Sequence, residues 1–145
     1  MKIAIGCDHG GYELKEKIKA IFEEKGHSFV DMGTNSVDSV DYPLFGFKVG
    51  ESVASGECEK GIVICSSGVG ISIAANKVKG IRCALCTDSY CAKMSVRHNN
   101  ANVVAMGAKI VGVAIAEEIV DAFLSETFEG GRHERRVDMI DAYNN

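Results

Sequence analysis

The sequence lacks tryptophan, contains a single proline and has no excess of basic residues. It holds 16 Lys and Arg against 20 Asp and Glu, which gives a formal net charge of −4. This balance argues against a nucleic acid as the main partner, because polyanion binding needs a basic face. There is no proline- or serine-rich linker and no internal repeat. We therefore expect one domain over 1–145, a length that is usual for a single domain.

Long apolar runs are also missing. No apolar run approaches the roughly 20 residues that a membrane-spanning helix needs. The N-terminal segment MKIAIGCDHGG reaches charged residues too early to hold the apolar core of a signal peptide. We therefore expect no membrane partner and a cytoplasmic location.

Six cysteines are present, and a reducing compartment is expected to keep them free. Cys83 and Cys86 have the spacing of a redox or zinc pair. No second pair or nearby histidine completes such a site, and the alternating run IRCALC is typical of a strand. We interpret these two cysteines as buried structural thiols.

Strand-like and helix-like segments alternate along the whole chain. Strands are expected at 2–6, 28–32, 61–65, 81–86 and 102–106. Helices are expected at 12–25, over a segment that has Pro43 in its first turn and carries Phe45, Val49 and Val53, and at 71–78, 88–97, 111–124 and 132–143. Alternation of this kind, with nearly continuous apolar strands, predicts a parallel sheet covered on both faces. The predicted fold class is α/β, a three-layer α/β/α sandwich with a five-stranded parallel sheet.

Ligands of such sheets bind beyond the carboxyl ends of the strands. Polar and titratable residues follow the first and third strands, and others end the helix after the fourth. We expect all of them to gather at one edge of the sheet: Cys7, Asp8 and His9; Cys65 with its small-residue turn; and Arg97, His98, Asn99 and Asn100.

The most informative stretch is GIVICSSGVGISIAANK at 61–77. Cys65 ends an apolar strand, and a turn of small residues then opens a helix, so that free backbone N–H groups converge on one point. A thiol beside such a cradle is typical of a nucleophile or a base next to developing negative charge. The structural alternative is a buried cysteine that acts as a small hydrophobe. Gly68 and Gly70 belong to neither a Walker motif nor a dinucleotide fingerprint, so the cradle suits an enediolate or small sugar better than a nucleotide.

Three further groups of residues carry both a functional and a structural interpretation. Asp8 and His9 could be a helix N-cap and its solvated neighbour, but Asp8 lies a few residues too early to cap the helix that starts near Tyr12, which favours a functional role. His98 could act as a general acid, or could end its helix as an imidazolium that the dipole favours. Arg132 and Arg136 lie one helical turn apart and could clamp a phosphate, or could belong to an ordinary charged helix surface.

Five spaced motifs resemble the B-type ribose-5-phosphate isomerases, a group that includes allose-6-phosphate and galactose-6-phosphate isomerases. They are GCDHGGYELK at 6–15, DYP at 41–43, ICSSGVGISIAANKVKGIR at 64–82, RHNNANVVAMG at 97–107 and EGGRHERRV at 129–137. The resemblance implies a Rossmann-like sheet and an aldose–ketose isomerase. Such an enzyme would interconvert ribose 5-phosphate and ribulose 5-phosphate through a cis-enediol without a metal or cofactor. A six-carbon sugar 6-phosphate, of allose or galactose, is the alternative substrate.

The same resemblance implies roles for individual residues. Cys65 matches the catalytic base and His98 the residue that helps to open the sugar ring. Substrate-binding positions are matched by Asp8, His9, Tyr42, Ser66, Ser67, Gly68, Val69, Gly70, Asn99, Arg132 and Arg136. The sites of this family lie between two subunits, so we expect a homodimer or a dimer of dimers. The helix from about 132 is expected to pack on the partner.

Two departures from the family pattern bear on substrate choice. Ser66-Ser67 stands where the family often has Gly-Thr, and Lys109 stands where it often has arginine, which loses bidentate geometry. A sugar-phosphate-binding protein without catalysis is the rival interpretation, although both Cys65 and His98 are present. A redox role of the cysteines is a further alternative.

Overall fold

The computed structural model describes residues 1–143, and residues 144 and 145 of the predicted domain lie outside this range. The strands are β1 Lys2–Cys7, β2 Ser28–Asp31, β3 Lys60–Cys65, β4 Cys83–Leu85 and β5 Val103–Gly107. The helices are α1 Tyr12–Glu24, α2 Tyr42–Ala54, α3 Val69–Asn76, α4 Ser89–Asn99, α5 Val113–Ser125 and α6 Arg132–Ala142. None of the helices in the described range is long and apolar enough to cross a membrane.

All strands run parallel in the order β2-β1-β3-β5-β4. Helices α1, α4 and α5 pack on one face of this sheet, and α2 and α3 pack on the other. The predicted α/β/α sandwich is therefore confirmed. The chain leaves β1 toward one face and β3 toward the opposite face, although the two strands are neighbours. A crevice opens where connections diverge in this way, and ligands of α/β sheets bind there.

Alternation along β3 shows how the sequence builds both faces. Ile62 and Ile64 are fully buried under α1, α4 and α5, whereas Val63 and Cys65 face α2 and α3. Because side chains of a strand point alternately to opposite faces, a strand buried on both sides must be apolar throughout. This pattern places Cys65 on the α2–α3 side of the sheet, at the carboxyl end of its strand.

Most bounds of the helices and strands differ from the expected ones by one or two residues, and the differences at α3 and β4 are described here. Helix α3 begins at Val69, two residues earlier than predicted, because Gly68 adopts a left-handed conformation with φ of 80° and allows the chain to enter the helix at once. Strand β4 covers Cys83–Leu85 and lies at one end of the strand order, where it pairs with β5.

Candidate active site

Cys65 and Asp8 are brought together at the crevice between β1 and β3. The N–H of Asp8 donates to the carbonyl of Ile64 over 3.3 Å, which ties the end of β1 to the end of β3. Gly10 lies so close to Ser66 that an added Cβ would overlap the serine hydroxyl. The two strand ends and the turns that follow them therefore form one compact surface.

The thiol of Cys65 lies beside the backbone N–H groups that open α3. The N–H of Gly68 donates to Cys65 Sγ over 3.1 Å, and the side chain is only 5% exposed. The first N–H groups of α3 follow directly, and these have no carbonyl within the helix to accept them. The hydroxyl of Ser67 accepts from the N–H of Val69 over 3.2 Å. The first turn of α3 therefore favours negative charge beside the sulfur.

Tyr42 closes one side of this cradle. It begins α2, and its aromatic ring lies against the backbone of Gly70, where an added Cβ would be 2.5 Å from a ring carbon and 2.9 Å from the hydroxyl oxygen. Only glycine permits this approach. The ring remains 41% exposed, so the phenol lies at the open rim of the cradle.

The loop after β1 fixes Asp8 and His9 at the same edge. Asp8 Oδ1 accepts from the N–H groups of Gly10 and Gly11, at 2.9 and 3.2 Å, and the residue is buried. His9 Nδ1 accepts from the N–H of Val40 over 3.1 Å. An accepting Nδ1 carries no proton, so Nε2 is the donor nitrogen of a neutral imidazole.

Lys15, which no sequence pattern marked as a functional residue, supports the segment between β2 and α2. Its side chain is fully buried, and its ammonium donates to Asp31 over 2.8 Å and to the carbonyl of Thr34 over 2.6 Å. Burial alone would raise the pKa of Asp31, but hydrogen bonds from Lys15 and Lys19 outweigh it and hold the pKa below its ordinary value. The available signal was a lysine that interrupts the apolar face of α1.

A second cluster of polar residues joins the end of α4 to the start of α6. The imidazole rings of His98 and His133 stack at 4.2 Å and 7°. Glu129 Oε1 lies 3.7 Å from His98 Nε2 and 3.6 Å from His133 Nε2, and Arg97 Nε donates to Glu129 Oε2 over 2.6 Å. Burial and the neighbouring His98 and Arg132 lower the pKa of His133, and the hydrogen bond from Arg97 lowers that of Glu129. Other predicted residues of this region are exposed: Asn99, Arg132 and Arg136.

The two clusters lie at opposite edges of the sheet, so the expectation that 97–100 join Cys65 at one edge is wrong. Helix α4 follows the carboxyl end of β4 and runs back antiparallel to it. Its end leads to Asn102, whose carbonyl accepts from the N–H of Gly61 at the amino end of β3 over 2.9 Å. From Gly61 to Cys65 the strand rises roughly 13 Å at about 3.3 Å per residue. Within one chain His98 is therefore remote from Cys65.

Comparison with known proteins agrees with this architecture. Residues 3–140 match the family described as Ribose/Galactose Isomerase. The chain belongs to the ribose/galactose isomerase family. It is 50% identical over 141 residues to ribose-5-phosphate isomerase B of Escherichia coli K12, which covers 97% of this chain and 95% of the relative.

Solved structures of this family superpose closely on the chain. Ribose-5-phosphate isomerase B of Clostridium thermocellum gives a TM-score of 0.96 at 56% identity, covering 97% of this chain and 95% of that one. The enzyme of Mycoplasma genitalium with bound ribulose-5-phosphate gives a TM-score of 0.93 at 42% identity, covering 98% and 95% of the two chains.

The departures from the family pattern lie directly at the cradle. The hydroxyl of Ser67 accepts a hydrogen bond from the N–H of Val69, the first residue of α3. The backbone N–H of Lys109 donates to the carbonyl of Ser66 over 3.0 Å, and the lysine is exposed. A long cationic side chain is therefore tethered beside the cradle, at the carboxyl edge of the sheet.

Proposed function

We propose that this protein interconverts D-ribose 5-phosphate and D-ribulose 5-phosphate by proton transfer through a cis-enediol(ate). The observation that carries the proposal is the thiol of Cys65 at the β1–β3 crevice, with the N–H of Gly68 3.1 Å from the sulfur and α3 opening beside it. The E. coli relative carries this activity in its name, and the M. genitalium structure holds ribulose-5-phosphate.

The reaction needs one group that removes a proton from C2 of the aldose and delivers a proton to C1. As a thiolate, Cys65 takes the C2 proton, and the electron pair of the C–H bond forms the C1–C2 double bond while the C1 carbonyl oxygen becomes negative. Transfer of the O2 proton to O1 and protonation of C1 then give the ketose. N–H groups at the start of α3 stabilise the enediolate oxygens, because they are already oriented toward that charge.

Residues near the cradle are suited to holding the sugar. Asp8 and the phenol of Tyr42 flank the thiol and are assigned to the sugar hydroxyls and ring oxygen. His9, whose Nε2 is the donor nitrogen, is assigned to the phosphate. From the second cluster, His98 is assigned to ring opening, Asn99 to a sugar contact, and Arg132 with Arg136 to the phosphate.

Because the clusters lie at opposite edges, we propose a homodimer in which each site combines Cys65 of one chain with His98 of the other. Exposed apolar side chains flank both clusters and support this pairing. On α3, Val69 and Ile73 are 47% and 57% exposed on one helix face, and on α6, Met139 and Ile140 are 68% and 60% exposed. A partner subunit would cover these faces, with α6 packed against it.

The six cysteines are all free in the described part of the chain. This supports the cytoplasmic location expected from the sequence, because thiols persist in reducing compartments.

The test is a comparison of kcat/KM for ribose 5-phosphate, allose 6-phosphate and galactose 6-phosphate with the purified single chain. We expect the highest value for ribose 5-phosphate, and a fall in kcat of at least about 10² in Cys65→Ala, which excludes a contaminating isomerase. A higher value for either six-carbon substrate would contradict the proposal. The galactose alternative is favoured less because the LacB relative of Clostridium acetobutylicum is 42% identical over 137 residues, against 50% for the E. coli enzyme.

A further inference from the structure

We propose that His98, Glu129 and His133 form a binding site for a divalent transition-metal ion of the zinc class. One ligand atom from each residue lies within 4.8 Å of the others. Two imidazoles and one carboxylate are a ligand set that zinc uses where a fourth position stays open to water or another ligand. Mg²⁺ and Ca²⁺ do not fit, because they prefer oxygen ligands.

The distances in the cluster suit ligands that share an ion better than direct hydrogen bonds. Glu129 Oε1 is 3.7 Å from His98 Nε2 and 3.6 Å from His133 Nε2, which is too long for a hydrogen bond. In a tetrahedral site with bonds of about 2.0–2.2 Å, neighbouring ligand atoms are roughly 3.3–3.6 Å apart. Both measured separations are within a few tenths of an ångström of that range.

Binding requires one movement. The two rings are parallel, so a single ion cannot lie in both ring planes until one ring turns. The side chain of His133 is 10% exposed and is held by its packing, whereas that of His98 is 39% exposed. His98 is therefore the residue that turns to complete the site.

Neighbouring charges prepare the carboxylate and limit the affinity. Arg97 holds Glu129 Oε2 and so directs Oε1 toward the two imidazoles, which is how outer residues orient metal ligands. The positive charges of Arg97, Arg132 and Arg136 oppose a cation. The site is thus a weak, reversible one rather than a structural one.

Occupancy would have a consequence that rests on the proposed function. An ion on His98 Nε2 removes the nitrogen that assists ring opening, so zinc should inhibit isomerisation and a chelator should restore it. Binding itself does not depend on the isomerase assignment.

The experiment is a titration of the purified protein with Co²⁺, followed by visible absorption. Tetrahedral Co²⁺ absorbs strongly in the visible range, and a thiolate ligand adds a separate charge-transfer band in the near ultraviolet, which reports binding at cysteines instead. We expect visible bands without the thiolate band. His133→Ala and Glu129→Gln should each weaken binding at least about tenfold. Glu126→Gln is the matched control, because Glu126 Oε2 lies 4.0 Å from Arg97 Nε but Glu126 is outside the cluster.

Unchanged Co²⁺ binding in both cluster variants, or absorption from thiolate coordination alone, would overturn the site. If His133→Ala fails to fold, the exposed position of Glu129 keeps the test decisive. In the activity arm, zinc at saturating concentration should inhibit the wild type, and Glu129→Gln should need at least about tenfold more zinc. A protein that binds Co²⁺ at this cluster but never isomerises ribose 5-phosphate would refute the proposed function and leave the metal site standing.

Discussion

Two impaired variants of this chain, Cys65→Ala and His98→Ala, are expected to restore activity when their subunits are mixed. The reason is the separation of the two residues, since β3 alone rises roughly 13 Å between the amino edge and Cys65. Each variant alone should lose a factor on the order of 10² to 10⁴ in kcat, as is usual when an acid or base is removed.

The expected recovery follows from two-fold symmetry. Random exchange of equal amounts makes about half of the dimers mixed, and each mixed dimer has one site with both residues intact and one with neither. Since one of the two sites is intact in each mixed dimer, about one quarter of all sites are active. The mixture should therefore show roughly one quarter of the wild-type rate per chain. If both residues served the same chain's site, no site in the mixture would be intact.

The assay is turnover of ribose 5-phosphate after the two variants are unfolded and refolded together, with each variant refolded alone as a control. A second control mixes wild type with the double variant Cys65→Ala/His98→Ala. If each site combines residues of two chains, only dimers of two wild-type chains are active, and the mixture keeps about one quarter of the wild-type rate. If each site lies within one chain, every wild-type chain is active, and the mixture keeps about one half. No recovery in the first mixture together with one half in the second would refute the shared site.

Three further predictions concern the phosphate, the buried ion pair and the cradle. Arg136→Ala should raise KM for ribose 5-phosphate by about tenfold or more, since a hydrogen bond to a charged group contributes about 1.5–3 kcal/mol. The control Arg135→Ala, on the same helix, should leave KM unchanged. Equal effects of the two substitutions on KM would contradict the phosphate role of Arg136. The lowered pKa of Asp31 means that its carboxylate stabilises the fold above an unfolded pKa near 3.9, and that this contribution is lost as the pH falls through the lower folded value. Urea unfolding midpoints should therefore fall less steeply below pH 4 in Asp31→Asn than in wild type, and equal slopes would count against the pair. Gly107→Ala should lower kcat at least tenfold, because its Cβ would lie 2.5 Å from the carbonyl carbon of Ser67 and shift the cradle. The control Gly112→Ala should retain activity, because the added Cβ meets open space. Similar kcat values for the two variants would show that the position of Ser67 does not control the rate.

Much of the fold was predictable because local patterns determine it. The apolar run before Cys65 must be a strand buried on both sides, and the small residues after it allow a helix to begin at once. The family resemblance added candidate residues that periodicity alone left undecided, such as His98 and Arg136. Strand order was not predictable, because it depends on which nearly identical apolar strands pair.

The error about 97–100 has a physical cause. Helix–strand alternation makes each helix run back to the amino edge, so the end of α4 cannot lie where Cys65 does. Lys15 was missed for a different reason, since a charged residue on an apolar helix face can be recognised as an anchor only when its partners, Asp31 and Thr34, are seen. The proposed partner subunit rests on the family resemblance and on the separation of the two clusters, because no local pattern along the chain indicates it.

Measuring kcat and Kd for ribose 5-phosphate in Cys65→Ala tests whether the thiol is the base. We expect kcat to fall by at least about 10² while the Kd changes little, because the thiol moves a proton and the cradle N–H groups belong to the backbone. A variant that keeps a rate near that of wild type would show that Cys65 is not the base, and the proposed mechanism would fail.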